Sequence, residues 1–160
     1  MANEKHFNGR CHRPTMEASS LSADEAVLLE HGRLDFDSGR FWHAHEAWED
    51  LWNSLKGRNA DRGEILLIQG LIQTAALLFN HQRRKSRGVT SQWDKLTPKL
   101  SPWKTAWGID IEQHVKNIAV FVDDVGVWQR TYDNVRLPTT DEVSECCLLY
   151  TSPSPRDVST

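Results

Sequence analysis

His45 and Glu49 stand four residues apart, and Gln69 and Gln73 repeat that spacing further along the chain. On an α-helix the spacing puts both members of a pair on one face. An imidazole and a carboxylate on one face can share a metal ion, pass a proton or hold a polar ligand. His45-Glu46-Ala47-Trp48-Glu49 opens like the H-E-x-x-H helix of zinc proteases. Glu49 stands where the second histidine is required, so that motif is rejected. His45 and Glu49 remain as two ligands for a divalent metal. Glu46 is a third carboxylate at a poorer angle, and glutamine is a weak zinc ligand. His81 and His114 are further donors that the sequence alone does not place.

Three readings of the cluster follow. In the first, His45 and Glu49 hold a metal, and a metal-dependent hydrolase is its enzymatic form. In the second, Glu46, Trp52, Gln69 and Gln73 line a small-ligand or catalytic pocket, with Glu49 or Glu46 as general base oriented by His45. In the third, the four polar side chains form a satisfied internal network that fixes helix register in a structural or interaction module. No nucleophile, oxyanion cradle or cofactor loop accompanies the cluster, so the sequence assigns no reaction.

The elements that must position these residues are all helical. Ser22-Ala23-Asp24-Glu25 has the S-x-x-E form of a capping box and starts a helix over 22–37. A second helix is predicted over 40–55 and stops before Gly57. Its apolar face carries Phe41, Trp48, Leu51, Trp52 and Leu55, with His45 and Glu49 at the edge of that face. The third, over 62–84, is apolar nearly all round, as expected of the middle helix of a bundle. Its run is read as too short and too interrupted to cross a membrane. Gln69, Gln73, Ala76 and Asn80 share one side of it, expected to face the His45 stripe. A weaker helix over 89–100 is limited by Pro98 and Pro102, and a last one runs over 110–125. No strand pair is read. The predicted fold is all-α: a single compact, up-and-down bundle of about five helices over 21–130, with no sheet. Residues 1–20 read as a flexible leader and 131–160 as a disordered tail.

The chain has 160 residues and a net charge of -3, with 39% hydrophobic and 26% charged side chains. That is enough for one domain with its own core. It supplies no global basic field for nucleic acid, so a nucleic-acid partner is not expected. The one basic cluster, Arg83, Arg84, Lys85 and Arg87, suits a helix C-terminus. Cys11, Cys146 and Cys147 read as free thiols, and a cytoplasmic protein is expected. Seven tryptophans are many for this length. Trp93, Trp103, Trp107 and Trp128 are expected as core or helix-edge anchors, and joint exposure of several would point to a homo-oligomer.

The second and third helices also carry a resemblance. Phe36-Asp37-Ser38-Gly39-Arg40-Phe41-Trp42-His43-Ala44-His45-Glu46 runs on through Glu49 to Leu51-Trp52. Ile68-Gln69-Gly70-Leu71-Ile72-Gln73 follows, and then a basic, glycine-containing turn and Trp107-Gly108-Ile109-Asp110. Together these blocks resemble domain of unknown function 309 over about residues 22–125. The resemblance implies a compact helical bundle and places His45, Glu46, Glu49, Trp52, Gln69 and Gln73 at signature positions. It implies no established activity. Residues 147–157, Cys-Leu-Leu-Tyr-Thr-Ser-Pro-Ser-Pro-Arg-Asp, resemble a translated sequencing adapter, which implies that the native reading ends near Ser144.

Overall fold

A computed structural model describes residues 16–140. Five helices carry the fold: α1 (Ala23–Asp37), α2 (Phe41–Gly57), α3 (Arg62–Gln82), α4 (Ser86–Leu100) and α5 (Ile111–Asp123). The expected all-α bundle is the observed architecture, with one small addition. Strands β1 (Thr105–Ala106) and β2 (Ile109–Asp110) form an antiparallel hairpin, pairing Thr105 with Asp110 and Ala106 with Ile109. The sequence reading held no sheet, because two-residue strands are too short to display alternation. The local signal was Trp107-Gly108, both at positive φ (52° and 80°), as a two-residue hairpin turn requires.

Capping fixes α1. The Ser22 hydroxyl accepts from the Glu25 amide at 3.1 Å, and the Glu25 carboxylate accepts from the Ser22 amide at 3.0 Å. Glu25 is buried and also accepts from Arg58 Nε at 2.8 Å and Ser54 Oγ at 3.1 Å, tying the start of α1 to the end of α2. The Arg58 hydrogen bonds, above all, hold its carboxyl down at about 2. Gly39 turns the chain at φ 81° into α2. There Phe41, Ala44, Trp48, Leu51 and Leu55 recur every three or four residues and form the buried stripe. Trp48 donates to the Leu29 carbonyl at 3.1 Å across α1. At Gly32 a Cβ would lie 2.1 Å from Trp48 Nε1, so only glycine lets these helices approach so closely.

The middle helix α3 is flanked by α2 and α4. Trp42 at the start of α2 meets Phe79 near the end of α3, so this pair is antiparallel. Gly70 abuts Leu100 while Gly88 abuts Asn80, so α3 and α4 are antiparallel too. Predicted over 62–84 with a run too short and too interrupted to cross a membrane, α3 spans 21 residues and is, by length and composition, long and apolar enough to do so. More than half of that apolar stretch is buried inside the bundle. Helix α4 begins three residues earlier than predicted and runs two residues past Pro98, which stands in its last turn.

The chain after α5 departs from prediction. Residues 131–140, expected in a disordered tail, pack on the bundle. Leu137 is buried and its amide donates to Asp37 Oδ1 at 2.7 Å. The Asp110 amide donates to the Pro138 carbonyl at 2.9 Å, and that of Thr140 to Gly108 at 3.0 Å. The hairpin therefore gives this returning segment an edge to bond to. Near the other end, Ser19 donates to the buried Glu64 carboxylate through its amide (2.5 Å) and its hydroxyl (2.6 Å). Cys11, Cys146, Cys147 and the adapter-like 147–157 lie outside the described residues.

Candidate functional site

Helix α2 turns Trp42, Glu46 and Glu49 toward solvent and keeps His45 and Trp52 half-buried at the edge of the core. Trp42 is 44% exposed and stacks on the His45 ring, with centroids 4.6 Å apart. His45 Nε2 lies 3.8 Å from Glu49 Oε2, and the Glu49 side chain is 45% exposed. One turn on, Trp52 is half-buried, and Lys56 Nζ sits 3.5 Å above its ring. Glu46 is exposed on the neighbouring side. His45 Nδ1 and Trp52 Nε1 are both buried with no hydrogen-bond partner among the described residues.

Gln69 and Gln73 are half-buried on α3, but they do not complete a network with α2. Gln73 Oε1 accepts from Lys99 of α4 at 3.2 Å. Among the described residues no hydrogen bond joins Gln69 or Gln73 to His45 or Glu49. The wheel set the amides facing α2; the observed amide of Gln73 turns toward α4, the other neighbour of this central helix. A metal does not fit well here. Among the described residues no three His, Cys, Asp or Glu side chains converge, and His45 with Glu49 makes two ligands where a closed zinc site needs four.

Two polar centres that the sequence reading did not assemble lie at the other side of α3. The first joins α3 to the segment after α5. His81 is 2% exposed and its Nε2 lies 2.8 Å from Asp124 Oδ2, while its Nδ1 meets the Tyr132 hydroxyl. Asp124 also accepts from the amides of Gln129 (3.1 Å) and Arg130 (3.0 Å). Burial alone would raise the Asp124 pKa, yet these amides and His81 hold it below the usual carboxylate value. Burial raises that of Tyr132, so the phenol keeps its proton. Phe121, Trp128 and Tyr132 close round the imidazole at centroid distances of 5.0–5.6 Å. The result is a clasp that fastens the returning chain to α3.

The second centre is His114 on α5. Its Nε2 lies 3.0 Å from Thr74 Oγ1, and the Thr74 hydroxyl itself donates to the Leu71 carbonyl at 2.7 Å. Thr74 thus accepts, His114 carries its proton on Nε2, and Nδ1 holds a bare lone pair. That nitrogen has no partner among the described residues. Complete burial pushes the His114 pKa down to about 3, so the ring is neutral. His114 also lines a pocket of about 370 Å³ between α5 and residues 130–136.

Comparison with known families bears on the first of these regions. Residues 29–91 match the family model of a domain of unknown function (DUF309). Residues 29–91 belong to the DUF309 family. No curated protein and no solved structure matches the chain. The DUF309 segment takes in most of α1, all of α2 and α3, and the first part of α4. His45, Glu46, Glu49, Trp52, Gln69 and Gln73 all lie inside it. Of the pocket beside His114, only Phe36 does. The exposed cations Arg83, Arg84, Lys85 and Arg87 also fall within DUF309, at its α3–α4 turn, and Arg83 lies 5.3 Å from the Phe79 ring. Of the four tryptophans expected as anchors, Trp103 is buried, and Trp93, Trp107 and Trp128 are half-buried.

Proposed function

We propose that the DUF309 segment is an association module that pairs with a second copy of this chain through the solvent edge of α2. One observation carries the reading: Trp52 sits between an acid and a base of its own helix. Glu49 lies three residues before it, and Lys56, four residues after it, rests on its ring. A two-fold axis passing near Trp52 in an antiparallel pair would set Glu49 of each copy against Lys56 of the other. The pattern is self-complementary, as an isologous interface requires. Trp42, exposed and aromatic, would be covered at each end. A cytoplasmic setting, with its thiols reduced, suits the same reading.

Sedimentation velocity tests it. The wild-type chain is expected at twice its 18.3 kDa mass. Trp42→Glu, with helical circular dichroism unchanged, is expected as a monomer. A wild-type monomer at hundreds of micromolar contradicts the reading. So does stoichiometric metal that is lost in both His45→Ala and Glu49→Gln, which would restore the metal site.

A further inference from the structure

Residues 16–21 run past the start of α3 and are fastened there at a single residue. Among the described residues no backbone–backbone hydrogen bond ties this stretch to the bundle. Its three hydrogen bonds all fall on Ser19. The Ser19 amide (2.5 Å) and hydroxyl (2.6 Å) donate to Glu64 Oε2, and Trp107 Nε1 donates to the Ser19 carbonyl at 3.0 Å. Ala18 and Leu21 are half-buried against the core, while Met16, Glu17, Ser19 and Ser20 are exposed. A space of about 290 Å³ lies between residues 16–18 and Thr105–Trp107, so the stretch does not pack flush on the hairpin. The returning chain at the other end is held differently, by backbone hydrogen bonds at Pro138 and Thr140.

Glu64 has a second donor within its own helix end. Asp61 is the N-cap of α3, and its Oδ2 accepts from the Gly63 amide at 3.2 Å. Glu64 stands three residues on, where a carboxylate can reach back to the N-cap amide and close a capping box. Glu25 does this for Ser22 at the start of α1. At α3 the box stays open. Among the described residues the Asp61 amide donates to no backbone carbonyl, and Glu64 turns inward, buried, with its Oε1 unpartnered. A bare carboxylate oxygen disfavours the fastened arrangement, and a closed box would favour the released one.

We infer that residues 16–21 are a strap with Glu64 as its two-position latch. Fastened, Glu64 accepts from Ser19. Released, it swings to the Asp61 amide and closes the capping box, so its carboxylate has donors in both states. The strap opens as a unit while the bundle stays folded, and opening uncovers Thr105–Trp107 of the hairpin. The strap is separate from the α2 edge, so this inference and the association reading can fail independently.

Native-state hydrogen exchange on the nitrogen-labelled full chain tests the latch. In the wild type the Ser19 amide and the Trp107 indole N–H are expected to exchange together, about a hundredfold or more faster than the core amide of Leu71. Ser19→Pro removes the amide donor and the hydroxyl at once. It is expected to leave helical circular dichroism and Leu71 protection unchanged and to abolish protection of the Trp107 indole. The Asp61 amide should then exchange about fivefold more slowly, as a new capping bond implies. Adding Glu64→Ala to Ser19→Pro is expected to remove that slowing. Exchange of the Ser19 amide only through global unfolding overturns the inference, as does a Trp107 indole that stays protected in Ser19→Pro. An Asp61 amide that is no slower in Ser19→Pro, or equally slowed without the Glu64 carboxylate, overturns the two-position latch.

Discussion

The Lys56 ammonium lies 3.5 Å above the Trp52 ring, on the far side of that ring's residue from Glu49 in α2. The contact holds a flexible cation on an aromatic face, where such an interaction contributes about 0.5–1 kcal/mol. It therefore orders one half of the acid–base pattern on which the proposed pairing depends. Because those charges lie at the solvent edge, added salt should weaken the pair. The dimer dissociation constant is expected to rise with sodium chloride, and sedimentation at low and high salt measures it. A constant that ignores salt would mean that the charges play no part.

Glu25 binds the first turn of α1 to the last of α2 through Ser22, Ser54 and Arg58. Glu25→Ala removes half of a capping box and leaves Arg58 without its partner. Arg58 is 42% exposed in its side chain, so water offsets part of that loss. The expected destabilisation is about 2 kcal/mol, read from urea unfolding at neutral pH. A loss below about 0.5 kcal/mol would show that the network adds little.

Acid should unfold the protein in two overlapping stages. His114 has its folded pKa depressed from 6.5 to about 3 by burial. Below pH 6.5 the unfolded ring takes up a proton that the folded ring refuses. The unfolded state then binds more protons, so stability falls as pH falls from 6.5 toward 3, by up to about 1.4 kcal/mol per pH unit. Glu25 has its folded pKa depressed from 4.5 to about 2. Its stabilisation is complete above 4.5 and is lost as pH falls from there toward 2. Urea midpoints measured from pH 7.5 to 4 should decline from about 6.5 downward. A midpoint that stays flat to pH 5 would contradict the burial of a neutral His114.

Gly32→Ala should be severe for so small a change. Its Cβ would fall 2.1 Å from Trp48 Nε1 and 2.3 Å from Cδ1, in a ring that is fully buried. Helix propensity favours alanine, so any loss arises from the forced separation of α1 and α2. About 3 kcal/mol is expected from chemical denaturation, together with a change in Trp48 fluorescence. A neutral or stabilised variant would show that the two helices do not touch there.

Tyr132→Phe removes the hydroxyl that meets His81 Nδ1 and leaves Asp124 on the other nitrogen. The expected loss is about 1–2 kcal/mol. It should be local first, with faster amide exchange at Gln129 and Arg130 while the α3 core keeps its protection. Uniform loss of protection would indicate that the clasp is not a separate unit.

Local signals made the bundle readable. Ser22 with Glu25, and Gly39 and Gly57 near helix ends, are chemical marks within a few residues of what they control. Trp48 and Leu51 could likewise be placed in the core by their period alone. The clasp could not, because His81 and Asp124 are 43 residues apart and nothing local marks them as partners. His114 falls in phase with Ile111 and Ile118 on α5 and reads as one polar residue in an apolar stripe. Its missing partner is visible only when Thr74 and Leu71 are set beside it. Gln73 shows a different limit. A helical wheel gives a side chain's angle, but α3 has neighbours on several sides, and the wheel does not say which of them the amide meets.

The central claim is that two copies meet antiparallel with Glu49 of each against Lys56 of the other. Charge exchange tests it most directly, by sedimentation equilibrium on Glu49→Lys, Lys56→Glu and the two combined. Each single change sets like charges face to face and should weaken the dimer by tenfold or so. The combined change restores opposite charges and should recover most of the lost affinity. If the single changes leave the dimer intact, or the combined change is as weak as the sum of both, the antiparallel pairing about Trp52 is wrong.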